Sequence, residues 1–230
     1  MLFRQLFDSE SSTYTYLVAE DHGRSAVIID AVKKNIHQYA KLIEQLNLTL
    51  VAVIDTHLHA DHITGMGELC KTFGCQSVMG EQSLARGVSI SVRDNDQLEF
   101  GGLKFTALYT PGHTNDSYCY LMDDRVFTGD TLFIRGTGRT DFQGGSPSQQ
   151  YDSLFNRLLS LPKSTFVYPG HDYNGMTVST IGEEIKFNPR FSGRSREEYI
   201  ALMNNLNLPL PKMMDIAVPA NKNCGLEILS

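Results

Sequence analysis

The segment Thr56–His62, THLHADH, directly follows the apolar run Leu50–Asp55, and this juxtaposition most limits what the chain can become. The run has the unbroken hydrophobicity of a buried strand. Three imidazoles and a carboxylate at the end of such a strand are costly to desolvate unless something pairs with them. A single cation does that for all of them. The plainer alternative is a solvated polar loop that happens to be rich in histidine. Two more of the seven histidines occupy a similar setting, because His113 and His171 each follow a Pro-Gly pair after an apolar or aromatic stretch. Asp130 comes after Gly129 at the end of another strand-like segment. All of these read as strand ends pointing into one metal site.

The chain has 230 residues, enough for one substantial core, and the expectation is a single α/β domain over 1–230 with many mixed strands. Hydrophobic content of 41% and charged content of 20% are those of an ordinary globular protein. A net charge of −6 argues against a nucleic-acid surface, since phosphate binding needs a basic field. No apolar run reaches bilayer length, so no membrane segment is expected. Residues Met1–Asp8 lack the features of a secretory signal or an obvious transit peptide. The expected location is therefore cytoplasmic, or the mitochondrial matrix in a eukaryotic host. The four cysteines (Cys70, Cys75, Cys119, Cys224) form no C-x-x-C pair, and free thiols in a reducing compartment are expected. A Cys70–Cys75 disulfide is conceivable. Cys224 invites a persulfide-carrier role, set against an inert thiol.

In order, the chain reads as a hairpin of Thr13–Val18 and Ser25–Asp30, then an amphipathic helix from Lys33 to Leu46. After the histidine-rich strand come a helix over Met66–Phe73, a short strand over Gln76–Met79, and β structure from Val88 to Tyr109. Ser117–Met122 and Arg125–Thr128 suggest another hairpin. Gln149–Leu161 reads as helix and Thr165–Tyr168 as strand. Thr177–Lys186 and Ser195–Asn205 read as helices before a Pro-punctuated tail.

The candidate donors are His57, His59, Asp61, His62, His113, Asp130 and His171, all nitrogen or oxygen. With no thiolate among them, the set favours a catalytic site with open positions over a sulfur-rich structural zinc site. Seven donors exceed the needs of one ion. Either two metals share the site, or one uses a subset while the others hydrogen-bond around it.

The pattern Thr-His-x-His-x-Asp-His-x-x-Gly, with its later Pro-Gly-His, Gly-Asp and Pro-Gly-His segments, resembles the metallo-β-lactamase superfamily. That resemblance implies a four-layer αββα sandwich, here with a short C-terminal helical extension. The segments Phe133–Gln143, Tyr168–Tyr173, Thr177–Thr180, Asn204–Pro209 and Val218–Asn221 closely resemble the persulfide dioxygenases within it. The similarity runs from about Phe3 to Gly225. It implies one non-haem Fe(II) per chain, held by His57, His113 and Asp130, with His59, Asp61, His62 and His171 around them. The implied reaction oxidises the sulfane sulfur of glutathione persulfide with O₂ to sulfite and glutathione, and related proteins suggest a homodimer. Two histidines and one carboxylate leave coordination positions open for both reactants. Arg139 is the candidate for gripping a glutathione carboxylate, its alternative being an ion pair with Asp141. His171 and Tyr173 are candidates to act on the substrate, Tyr173 by hydrogen-bonding the sulfur or oxygen.

Two rivals stand beside this reading. The same motif serves binuclear zinc thioester hydrolases resembling glyoxalase II, in which two zinc ions generate a hydroxide nucleophile. That family carries a longer, basic C-terminal helical region than this chain. A non-catalytic redox or binding module does not account for an open ligand set.

Overall fold

The computed structural model describes residues 1–209 and 213–226. The chain divides into two compact units, each built around its own core. The first comprises Met1–Val92, Gln97–Phe105 and Leu210–Ser230, the second Arg93–Asp96 and Thr106–Pro209.

In the first unit six strands form one sheet in sequence order: β1 (Leu2–Asp8), β2 (Thr13–Ala19), β3 (Ser25–Ile29), β4 (Thr49–Ile54), β5 (Gln76–Gly80) and β6 (Ile90–Val92). β1, β2 and β3 are antiparallel neighbours, and β3 to β6 run parallel. Parallel neighbours need crossovers. Helix α1 (Ile36–Gln45) supplies one between β3 and β4, and α2 (Met66–Phe73) another between β4 and β5. Their apolar stripes bury Ile36, Tyr39 and Ile43 from α1 and Met66 and Leu69 from α2. Each such aliphatic side chain contributes about 1.5–3 kcal/mol of transfer free energy. Because β3 and β4 are parallel, their C-terminal ends share an edge, and Asp30 and Thr56–His62 leave the sheet there.

The second unit has a sheet ordered β12 (Ser179–Thr180), β11 (Phe166–Pro169), β10 (Arg125–Gly129), β9 (Tyr118–Leu121), β8 (Leu103–Tyr109). β7 (Gln97–Phe100) pairs with the start of β8 in the first unit, and β8 crosses into the second after Phe105. β9 is antiparallel to both β8 and β10, and β10 is parallel to β11. β8, β10 and β11 therefore point the same way, and their ends deliver His113, Asp130 and His171 to one edge. Helices α3 (Pro147–Ser153), α4 (Ile181–Phe187) and α5 (Arg196–Asn204) follow in the chain, and Leu154 just beyond α3, Ile181 of α4 and Tyr199 of α5 share a core with Val126 and Val167 of the sheet.

Most expected elements are present, with four differences. No element is expected over Leu2–Asp8, yet β1 is a strand, whose burial does not alternate cleanly, as suits a sheet edge. The segment Thr177–Lys186 is not helical throughout, because Ser179–Thr180 pairs with β11 and helix begins at Ile181. The helix over Gln149–Leu161 starts at Pro147 and loosens into a π-helical turn at Leu154–Leu158. The tail forms α6 (Met214–Asn221), with Pro219 in its last turn. Among the described residues no helix is long and apolar enough to cross a membrane.

The turn after β1 depends on Asp8, whose side chain is 5% exposed. It accepts from the Ser11 N–H (2.9 Å) and hydroxyl (2.7 Å), the Asn35 amide (3.1 Å) and the Lys34 ammonium (2.8 Å). Burial works to raise the Asp8 pKa, but Lys34 and the hydrogen bonds prevail and bring it to about 2. A depressed folded-state pKa stabilises above the ordinary value and is lost as pH falls through the folded one. Asp8→Asn should cost about 1–2 kcal/mol in urea unfolding at neutral pH. That gap should close between pH 3.8 and about 2. A gap that ignores pH would show that the carboxylate charge is not the stabilising element.

Candidate metal centre

In the first unit the histidine loop is wired to Asp30, which leaves β3 with a left-handed φ of 53° and is 1% exposed. Asp30 accepts from the Thr56 N–H (2.8 Å) and the Thr56 hydroxyl (3.0 Å). With its proton so committed, the Thr56 hydroxyl accepts from His57 Nδ1 at 3.0 Å. That leaves the His57 Nε2 lone pair for a metal. His59 gives its Nε2 proton to Asp30 at 3.1 Å, and its Nδ1 is buried without a hydrogen bond. His62 Nδ1 donates to Asp61 at 2.9 Å, and Thr13 donates to the same Asp61 oxygen at 3.0 Å. The rings follow one another in tilted contact, His57–His59 and His59–His62 both with centroids 4.3 Å apart. Single donor atoms of His59, Asp61 and His62 lie within 4.8 Å of one another.

The electrostatics of this loop are those of a place that lacks positive charge. Burial disfavours the charged His59 ring, yet the Asp30 carboxylate overrides it and lifts the pKa to about 10. Burial likewise pushes Asp55 up to about 7, with the His59 charge pulling the other way. Asp55 Oδ1 is buried without a hydrogen bond. These buried acids and a bare imidazole nitrogen fit a site completed by a cation.

The second unit presents three further donors. His113 Nε2 lies 3.5 Å from one oxygen of Asp130, and His171 Nε2 lies 3.5 Å from the other. Such spacing is longer than a good hydrogen bond. His113 Nδ1 donates to the Arg139 carbonyl at 2.7 Å, which makes Nε2 the nitrogen that carries the lone pair. Two glycines make the approach possible. A Cβ on Gly138 would lie 2.2 Å from the Asp130 carbonyl oxygen, and one on Gly170 would lie 2.6 Å from Asp130 Oδ1. Gln150 holds the Gly138 carbonyl at 3.1 Å and accepts at 2.7 Å from Tyr199, a fully buried residue of α5.

The matches with known proteins agree with this geometry. Residues 9–171 match the metallo-β-lactamase superfamily. The persulfide dioxygenase ETHE1 of Mus musculus is 45% identical over 99% of this chain and 90% of its own length. The crystal structure of ETHE1 from Myxococcus xanthus superposes with a TM-score of 0.96 at 54% identity, covering 98% of this chain and all of that one. This chain belongs to the persulfide dioxygenase family of that superfamily. A more distant relative, TTHA1623 in a di-iron-bound form, matches at TM-score 0.68 and 28% identity over 81% of this chain and 98% of its own. The superfamily's fold is the αββα sandwich expected from the sequence, and each unit supplies one mixed sheet with its helices.

The substrate candidates fall as follows. Tyr173 is 69% exposed and lies parallel to the His171 ring with centroids 6.0 Å apart, while Phe133 meets both rings edge-on. The Arg139 guanidinium binds Asp141 through two bonds of 2.7 and 2.8 Å and donates to the carbonyls of Pro209 (2.6 Å) and Leu208 (3.2 Å). It also covers the Phe142 ring at 4.4 Å. Sequence reasoning gave no role to Asp30, Asp55, Gly138 or Asn221. Two of these, Asp30 and Asp55, announce themselves only as acids ending apolar runs.

Asn221, in the last turn of α6, closes the histidine loop. Its amide nitrogen donates to the carbonyls of His59 and His62, both at 2.9 Å, and its oxygen accepts from the Thr64 N–H at 2.9 Å. Asn221→Ala leaves three buried backbone groups unpaired, and the expected loss is about 2–4 kcal/mol by chemical unfolding. Metal content, read by elemental analysis, should fall with it. A variant of full stability and full metal content would remove Asn221 from any part in shaping the loop.

Proposed function

We propose that the chain is a persulfide dioxygenase that converts glutathione persulfide, O₂ and water to glutathione and sulfite. One Fe(II) per chain is held by His57, His113 and Asp130. The observation that carries this reading is the 45% identity to ETHE1 across almost the whole chain. The donor chemistry supports it, since two imidazoles and a carboxylate suit Fe(II) and leave open positions. When bound, Fe(II) supplies the one-electron chemistry that makes O₂ reactive toward sulfur.

The chain's own residues do the rest. The Thr56 hydroxyl and the Arg139 carbonyl fix the tautomers of His57 and His113, so each presents Nε2 without rotating. His59, Asp61, His62 and His171 would stand around the metal as the outer neighbours of its ligands. His171 and Tyr173 form an aromatic wall along which the sulfur chain lies, with the Tyr173 hydroxyl reaching the sulfur or oxygen. Arg139 is the candidate for a glutathione carboxylate, which must take over the place Asp141 holds. A homodimer is the expected assembly. Free thiols suit the cytoplasm, or the mitochondrial matrix in a eukaryotic host.

The binuclear hydrolase keeps one foothold, the donor group His59, Asp61 and His62. Metal analysis separates the two, since the dioxygenase contains one iron per chain and the hydrolase two zincs. Iron-loaded protein given glutathione persulfide should take up O₂ and form sulfite, and should leave S-lactoylglutathione intact. His113→Ala should lose iron and reduce turnover by about a thousandfold or more, as removal of an essential centre does. Full iron occupancy in that variant would overturn the ligand assignment.

A further inference from the structure

The two sulfur atoms of Cys70 and Cys75 lie 3.3 Å apart. Both thiols are free and half-buried, at the end of α2 away from any assigned donor in the sequence. Positions five apart on a continuous helix diverge, since each residue turns the direction by about 100°. Gly74 removes that divergence. Its φ of +67° ends the helix in the left-handed region, and the N–H groups of Gly74 and Cys75 both turn back to the Cys70 carbonyl, at 2.9 and 3.2 Å. The chain is thereby folded so that Cys75 returns over Cys70, and β5 begins at the next residue. Two thiols in hydrogen-bond reach share a proton. The Cys70 hydrogen bond holds Cys75 below the ordinary thiol value, whereas the same bond and burial raise Cys70. Cys75 lies in the turn beyond the helix, beside Gly74 with open space around it, and is the thiol placed to meet a substrate; Cys70, within α2, is the resolving partner.

We propose that Cys70 and Cys75 form a second persulfide-reacting site, which takes the sulfane sulfur from a low-molecular-weight persulfide and releases it as hydrogen sulfide. The inference rests on the persulfide dioxygenase reading only for the class of substrate the protein meets. In the first step the Cys75 thiolate attacks the outer sulfur of the persulfide. The sulfur–sulfur bond of the substrate breaks, a Cys75 persulfide forms, and the thiol leaves with the proton. Cys70 then attacks the Cys75 Sγ, forming the Cys70–Cys75 disulfide and expelling hydrogen sulfide. The sulfane sulfur gains two electrons and the cysteine pair loses two. Two molecules of the released thiol class reduce the disulfide and restore the pair, becoming a disulfide themselves. No iron and no O₂ enter the cycle.

The test uses iron-loaded full-length protein with glutathione persulfide under strict exclusion of O₂. Wild type should release one equivalent of sulfide per chain, and the peptide spanning both cysteines should lose the mass of two hydrogens. Cys70→Ser should stop after the first step, gaining one sulfur on Cys75 and releasing no sulfide. Cys75→Ser should do neither. An unchanged wild-type peptide, or sulfide release that survives in both variants, overturns the proposal. In air, both variants should keep wild-type O₂ uptake and sulfite formation. Failure of O₂ uptake in wild type would count against the dioxygenase reading and leave the anaerobic result standing on its own.

Discussion

Everything at this site follows from placing imidazoles and carboxylates at the dry ends of buried strands. Asp30, Asp55, His57 and His59 are almost fully enclosed, and the imidazole of His59 is the charge partner that the two carboxylates share. Burying an isolated carboxylate is prohibitive, so the arrangement persists only with positive charge close by. In the absence of metal, the His59 proton fills that role. A bound metal would supply that charge instead. The same electrostatic demand thus stabilises the empty loop and selects what enters it.

The sheets meet this demand by direction alone. In the first unit the parallel run from β3 to β6 gathers strand ends along one edge. In the second, the antiparallel β9 between β8 and β10 has the same effect, because two reversals restore the original direction. Glycine is required at the closest approaches, where Gly138 and Gly170 lie against Asp130. Hydrogen bonds to backbone carbonyls or to a hydroxyl then choose which imidazole nitrogen is available. Ligand identity is therefore set by residue type, and ligand readiness by hydrogen-bond partners such as the Thr56 hydroxyl and the Arg139 carbonyl.

That division explains how much could be read beforehand. The five histidines and Asp130 were legible because a histidine at the end of an apolar run has no satisfactory role in packing. Asp30 was not, since an aspartate after Val27–Ile29 looks like an ordinary turn residue until Thr56 and His59 are seen to bond it. Asn221 was hidden by distance, its partners lying about 160 positions away. α6 was hidden by Pro219, which opposes helix in any local reading yet stands inside this one. Arg139 was legible only as a pair of alternatives. Sequence names the charge and the neighbouring Asp141, whereas the fold determines which acceptors the guanidinium reaches. β1 escaped because its Arg4-Gln5 centre breaks the apolar pattern, as befits an outermost strand.

The Asn221 clasp has a consequence for how the protein is made. During synthesis the histidine loop leaves the ribosome early, yet the amide that ties its carbonyls follows about 160 residues later. Until then the nascent chain holds several imidazoles on an unfastened loop. The three backbone groups that Asn221 ties thus wait for the tail before the loop is closed.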